Sequence, residues 1–361
     1  MTNLQAYVQT VLGLALGVPC LAITGCIRSP GDDLQSQRAT AVIKFINPQS
    51  IASASQMTHP LLFDSVSDFS EGVAMVRLKS RIAYVDPTGT LRITVADPNV
   101  SAALEYAESL AVARVGDYYG YLDRRGTWAI EVQFRQAKSF SEGLAAVQGG
   151  TKYGFINLFG EWVIEPQFDL AERFAEGRAL VKVGDRYGYI DPQGRSVVSP
   201  GFRDAWSFSE SLAVARQETL YGYVNREGEM AISPHFDGAF SFSEGLARVR
   251  QGSQFGFIDT TGKQVIQPNL AFASDFSEGR AAVLVGSQWG YVDRTGTMVI
   301  DPQFDYAADF SEGLAVVQVA GRYGYIDLQG SQVVEPTYQN AGPFSEGWAR
   351  VQINEQWGFI D

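Results

Sequence analysis

Apolar and polar positions alternate with a period of two along most of the chain, and the alternation itself recurs at a longer interval. The aromatic that leads the tetrapeptide Phe140-Ser141-Glu142-Gly143 is matched at Phe69, Tyr106, Phe174, Phe208, Phe242, Phe276, Phe310 and Phe344. From Tyr106 onward the spacing is 34 residues, and Phe69 lies 37 before Tyr106, so the chain holds nine copies of one unit. With that aromatic as position 0, Ala stands at +5 in every copy and Val or Ala at +7, while +4 and +6 vary, which predicts a strand. Eight copies then carry aromatic-Gly-aromatic-aliphatic at +13 to +16, a second strand, as in Tyr187-Gly188-Tyr189-Ile190. Asp or Asn at +17 and Gly at +20 predict a type I turn, as in Asp191-Pro192-Gln193-Gly194. A third strand follows, such as Val299-Ile300-Asp301-Pro302, and the stretch Phe304–Asp309 predicts a short fourth strand leading to the next unit. Helical repeats can share this period, but Gly at +3, +14 and +20 would each cost a helix about 1 kcal/mol. The expected class is all-β: nine antiparallel β-meanders of about 34 residues in tandem.

This unit resembles the bacterial WG-containing repeat, whose signature is an aromatic-Gly pair, then aromatic, aliphatic and Asp, then a Gly turn. Trp289-Gly290 and Trp357-Gly358 match it literally, and six other copies place Tyr-Gly or Phe-Gly in the same slot. The first copy departs with Ile82-Ala83, as expected of a capping unit. The resemblance spans about residues 60–361 and implies a tandem array of a kind often found in exported bacterial proteins, with no catalytic residues to carry over. Ala41–Phe45 and Pro60–Asp64 are strand-like and could complete the last unit, closing a propeller-like ring. Nine units exceed the usual four to eight blades and 34 residues is short for a blade, so the expectation adopted is an open superhelical array.

The N-terminal 25 residues carry no charged side chain, and Val8–Gly25 is an apolar run. Ile23-Thr24-Gly25-Cys26 resembles the bacterial lipobox, which implies lipidation at Cys26, although no Lys or Arg precedes the run. The predicted organisation is therefore a signal peptide or anchor over 1–25, a flexible tether over 26–40 and the repeat array over 41–361. Both cysteines, Cys20 and Cys26, fall in the leading segment, so the array must hold together by packing alone.

A formal charge of −12 and a pI near 4.8 argue against nucleic acid as a partner. His235 reads as a variable surface residue and His59 has no evident partner, so neither a metal site nor a His-based triad is expected, and no cofactor. Glu at +2 in all nine copies reads as a turn residue accepting backbone N–H bonds, the alternative being a ring of carboxylates that binds cations or basic partners. Most aromatics belong to repeat slots and to the core; Trp128, Trp162, Trp206 and Trp348 stand outside the aromatic-Gly slots and are the candidate binding residues. The functional expectation is a non-enzymatic, exported, membrane-anchored protein binding protein or polysaccharide at the cell envelope through an extended acidic surface. Two alternatives are a carboxylate-based envelope hydrolase using Asp86 and Asp97, and a passive spacer.

Overall fold

The computed structural model describes residues 63–361. It is built of nine sheets, each an antiparallel meander whose strands pair in chain order. The fourth sheet shows the plan: Leu170–Ala175, Arg178–Val183, Arg186–Ile190 and Ser196–Phe202. The stretch expected to end one unit instead begins the next sheet, since Tyr306–Ser311 pairs with Leu314–Val319. In the third sheet this first strand shrinks to a single bridge, Ala137 to Val147.

The aromatic-Gly signature has a packing cause. Opposite seven of the eight such glycines, all but Gly358, the last strand bulges: Tyr187 pairs with Phe202, but Tyr189 already pairs with Val198. The bulge drives backbone into the space a side chain would need. A Cβ on Gly290 would lie 2.5 Å from the Ile300 carbonyl oxygen and 2.8 Å from the Pro302 nitrogen. Where the first copy has Ala83, the register runs straight past it, with Ala83 opposite Thr94 and Tyr84 opposite Ile93.

Neighbouring sheets are joined by three contacts that recur from copy to copy. The buried +15 ring meets the position-0 ring of the next sheet, as in Tyr189–Phe208 at 4.8 Å and Tyr291–Phe310 at 4.9 Å. The tyrosines among these rings also donate their hydroxyls to the next sheet's first strand, Tyr189 to the Trp206 carbonyl and Tyr325 to the Gly342 carbonyl. The +2 glutamate accepts the N–H at +3 of the following copy: Gly177 to Glu142, Gly313 to Glu278. The Ser at +1 donates to the next position-0 carbonyl, as Ser243 does to Phe276. The glutamates thus accept backbone N–H bonds, as expected of turn residues, and the N–H groups belong to the neighbouring sheet. All nine sit at φ between 52° and 56°, a left-handed conformation that side chains other than Gly rarely adopt.

The same contacts join the ninth sheet to the first. Phe359 meets Phe69 at 4.9 Å, Glu346 accepts the Gly72 N–H at 2.8 Å, and the Ser345 hydroxyl donates to the Phe69 carbonyl at 2.9 Å. Phe63 takes the place of a fourth strand in the last sheet, exchanging two hydrogen bonds with Trp357 at 2.9 and 2.8 Å. It occupies the register that Phe304 holds opposite Trp289. The repeats therefore form a closed nine-bladed β-propeller, and the expected open superhelical array is incorrect. Thirty-four residues suffice for a blade because the strands are short and the connections tight: Arg178–Val183 and Arg186–Ile190 are two residues apart. Since each interface is one geometry repeated, the number of blades is whatever lets the ninth interface match the other eight. The expected leader, Cys26, the tether and Ala41–Phe45 lie outside the described residues.

Candidate functional site

Each blade's first-to-second and third-to-fourth turns emerge on one face of the ring, and its second-to-third turn and the crossover to the next blade emerge on the other. The first face is structural. Its Asp or Asn at +17 accepts the N–H groups at +19 and +21, as Asp293 does from Thr295 at 2.9 Å and Thr297 at 3.0 Å. At Asp123 burial works to raise the carboxyl, but hydrogen bonds from the Arg125 side chain and from the Thr127 and Arg125 N–H groups prevail and hold it at about 2. A shallow hollow of about 360 Å³ on this face is lined by Glu108, Asp123, Arg124 and Leu158. The first three are already committed: Glu108 to the Gly143 N–H, Asp123 to its own turn, and Arg124 to Glu71.

On the opposite face, each blade presents a row across its strands at positions −4, +8, +13 and +28. In blade four the row is Leu170, Lys182, Tyr187 and Phe202. In blade seven it is Phe272, Leu284, Trp289 and Phe304, and in blade eight Tyr306, Gln318, Tyr323 and Tyr338. Only these two blades carry an aromatic at −4. It joins rings that elsewhere stand apart: Phe255–Phe272 at 5.4 Å, Phe272–Trp289 at 5.4 Å, Trp289–Tyr306 at 6.4 Å and Tyr306–Tyr323 at 6.3 Å, and Phe240, at −2 of blade six, extends the run through Phe255 at 6.1 Å. Phe272 is 41% exposed and Tyr306 43%; Tyr118 (43%) and Phe159 (84%) are exposed elsewhere, but Phe272 and Tyr306 differ in belonging to a run of neighbouring rings.

At one end of this row lies the buried Arg248. Its guanidinium sits 3.7 Å from the centre of Phe240, 5.6 Å from Phe255 and 5.5 Å from Phe272. It donates to the Ala273 carbonyl and, at 3.1 Å, to Asp275. Burial pushes the Asp275 carboxyl up; Arg248 pulls it back and the nearby Asp309 pushes it up further. The same burial lowers Arg248, against the pull of Asp275.

The four candidate tryptophans do not converge. Trp128 donates to Asp97 at 3.2 Å, Trp162 stacks edge-on to Phe134 at 5.9 Å, and Trp348 packs beside Phe69 at the ring closure. Trp206 alone reaches the aromatic row, 5.6 Å from Phe240. Trp289, Gly290, Trp357, Gly358, Tyr187 and Gly188, expected to be structural residues of the repeat, all serve the strand pairing, and Trp289 in addition stands at the row's centre. Phe240, Phe272, Tyr306 and Arg248 were missed. The available signal was the slot where copies disagree: an aromatic at −4 in two adjacent copies, and an Arg at +6 where most copies have an aliphatic residue. Asp86 is held by Thr88, Thr90 and Arg92, and Asp97 by Asn99 and Trp128. Both carboxyls are lowered, Asp86 against the pull of burial and Asp97 chiefly by the Asn99 N–H, whereas a glycosidase acid needs a raised one. His235 is exposed, its Nδ1 bonded to the Ser233 carbonyl. Among the described residues no group of three or more His, Cys, Asp or Glu is placed to hold a metal. Nor is any helix there long and apolar enough to cross a membrane.

The molecule is thus a repeat-built β-propeller with one irregular, aromatic face. The WG containing repeat family model matches residues 60–80, 119–150, 153–187, 187–218, 221–254, 255–288, 289–323 and 323–357, well over half of the chain, which belongs to that family. No match was found among curated proteins. A crystal structure of the eukaryotic initiation factor is similar at TM-score 0.58 and 8% identity, over 78% of this chain and 88% of that one, a likeness of fold alone. Weaker likenesses are the C-terminal WD40 domain of Sif2 (TM-score 0.43, 10% identity, 83% and 96% covered) and apo AztD from Citrobacter koseri (0.39, 14%, 75% and 92%).

Proposed function

We propose that this propeller is a non-catalytic binding module that holds an extended segment of a partner protein across the aromatic face of blades six to eight. The observation that carries this reading is the continuous row from Phe240 to Tyr323, half-exposed at Phe272 and Tyr306. Exposed rings on a rigid sheet lose little entropy when covered and supply apolar area together with a polar tip at Tyr and Trp. Carboxylates at Asp275 and Asp309 beside the row favour a polypeptide with basic groups over a neutral polysaccharide. In the same proposal the chain is exported and tethered at the cell envelope through Cys26, on the support of the Ile23-Thr24-Gly25-Cys26 motif.

The test is to probe peptide and glycan arrays with the full chain and with the Phe272→Ser/Tyr306→Ser double variant. Peptide signals that fall at least tenfold in the variant, with thermal stability retained, are the expected result. Signals on glycans alone would move the reading to polysaccharide, and peptide signals indifferent to the two rings would remove this face from the function.

A further inference from the structure

The repeats allow one blade to serve as the template for reading another. An arginine occurs at +6 in two copies, Arg248 and Arg350, and in both it reaches forward to an aspartate at −1 of the following copy. Arg248 contacts Asp275 at 3.1 Å beside the +13 ring of Phe255. Arg350 contacts Asp68 at 2.7 Å beside the +13 ring of Trp357, 5.5 Å away. These two slots, at different points of the ring, show what the combination of a +13 aromatic and a following −1 aspartate accommodates: one planar guanidinium, held by charge on one side and a ring on another.

Aspartate stands at −1 in only one further copy, as Asp309. The +13 ring there is Trp289, and the −4 ring, which is Phe272 in the Arg248 slot, is Tyr306. Every wall of the Arg248 slot except Phe240, whose counterpart is Ser274, is therefore repeated one blade on, but the residue at +6 is Ala282. Asp309 and Tyr306 are exposed, and Asp309 makes no ion pair among the described residues. Locally, Asp275 and Asp309 bring two carboxylates against the single guanidinium of Arg248, and the field of Asp309 reaches Asp275, Tyr291 and Tyr306.

We propose that Trp289, Tyr306 and Asp309 form a receptor for the guanidinium group of an arginine side chain presented by a partner protein. The guest takes the place beside Asp309 that Arg248 takes beside Asp275, its plane against Trp289 and Tyr306. An arginine is specified over a lysine because the guanidinium stacks on rings and offers a planar fork to the carboxylate, whereas an ammonium is a compact, strongly hydrated point charge. This assignment rests on the binding role proposed for the aromatic face and names the chemistry it selects.

The experiment measures binding of hexa-arginine and hexa-lysine peptides to the full chain by calorimetry at 150 mM salt, which screens the general attraction of an acidic protein for polycations. The expected result is roughly tenfold tighter binding of hexa-arginine. That preference should disappear in Asp309→Asn, and again in Ala282→Arg, where the chain supplies its own guanidinium. Ala282 is fully buried and its replacement could impair folding, so Asp309→Asn, at an exposed position, decides by itself provided its melting temperature is unchanged. Equal binding of the two peptides, or a preference that survives Asp309→Asn, overturns the assignment. Array signals that depend on Phe272 and Tyr306 while ignoring Asp309 would leave the broader binding role standing and remove only the arginine receptor.

Discussion

Replacing Phe359 with alanine is expected to lower the stability of the ring by about 3–5 kcal/mol, as much as the same change at Phe155. Both rings are buried and both meet the position-0 ring of the following blade, Phe359 with Phe69 at 4.9 Å and Phe155 with Phe174 at 5.0 Å. The equivalence is informative because Phe359 stands at the end of the last repeat. In an open array that ring would face solvent on the side where Phe69 now lies, and its loss would cost no more than a partly exposed side chain, about 1 kcal/mol. Chemical denaturation of the two variants beside the parent protein supplies the comparison. Equal shifts fit the closed ring; a much smaller shift for Phe359→Ala does not.

The second large effect is expected from Gly290→Ala, at the glycine of one of the two literal Trp-Gly pairs. The added Cβ would meet three backbone atoms of the bulged outer strand within 3.0 Å, none of which can swing aside as a side chain could. Either the bulge between Trp289 and Tyr291 must be undone, or the outer strand must move off the sheet. Overpacking of this kind costs about 1–3 kcal/mol. Gly201→Ala is the matched control: its Cβ would meet only the Ser199 carbonyl oxygen, at 3.6 Å, and losing a glycine from the unfolded chain offsets even that. Thermal melts should show a clear drop for Gly290→Ala and almost no change for Gly201→Ala.

Much of this architecture is legible in the chain before any coordinates. Alanine at +5 in all copies, the paired aromatics around +14 and the Asp-to-Gly turn are local constraints, met within one meander, and periodicity exposes them directly. Closure is of another kind. It depends on the angle each blade makes with its neighbour, summed nine times, and no single residue states that angle. The glutamates illustrate the difference. As turn residues they are expected to accept backbone N–H bonds, and they do; what the repeat pattern does not state is that a left-handed backbone at Glu278 aims the carboxylate at the Gly313 N–H of the next blade. Pro60–Asp64 did carry a strand signal, and within it Phe63 proves to be a partner of Trp357.

The binding face was harder to read for the opposite reason. Repetition hides the functional residue behind the structural one, so that Trp289 looks like seven other rings in its slot. What distinguishes blades six to eight is a departure from the repeat: Phe272 and Tyr306 where neighbours have Asp204, Gly238 and Asn340, and Arg248 where most have an aliphatic residue. The isolated tryptophans were departures too, but three of the four are taken up by local partners, as Trp128 is by Asp97, and only Trp206 reaches the row, at Phe240. Deviation from the slot pattern marks a site only when deviations from different slots meet in space.

Ring closure is tested most directly by the distance between nitroxide labels at Arg81 in the first blade and Gln356 in the last, with Cys20 and Cys26 replaced by serine. The two positions fill the same slot, as does Arg322 in the eighth blade. A closed nine-bladed ring predicts that electron–electron double resonance gives the Arg81–Gln356 pair the same short distance as the adjacent pair Arg322–Gln356. A distance for Arg81–Gln356 that is much longer than the control, as eight successive repeats in an open array would produce, would contradict it.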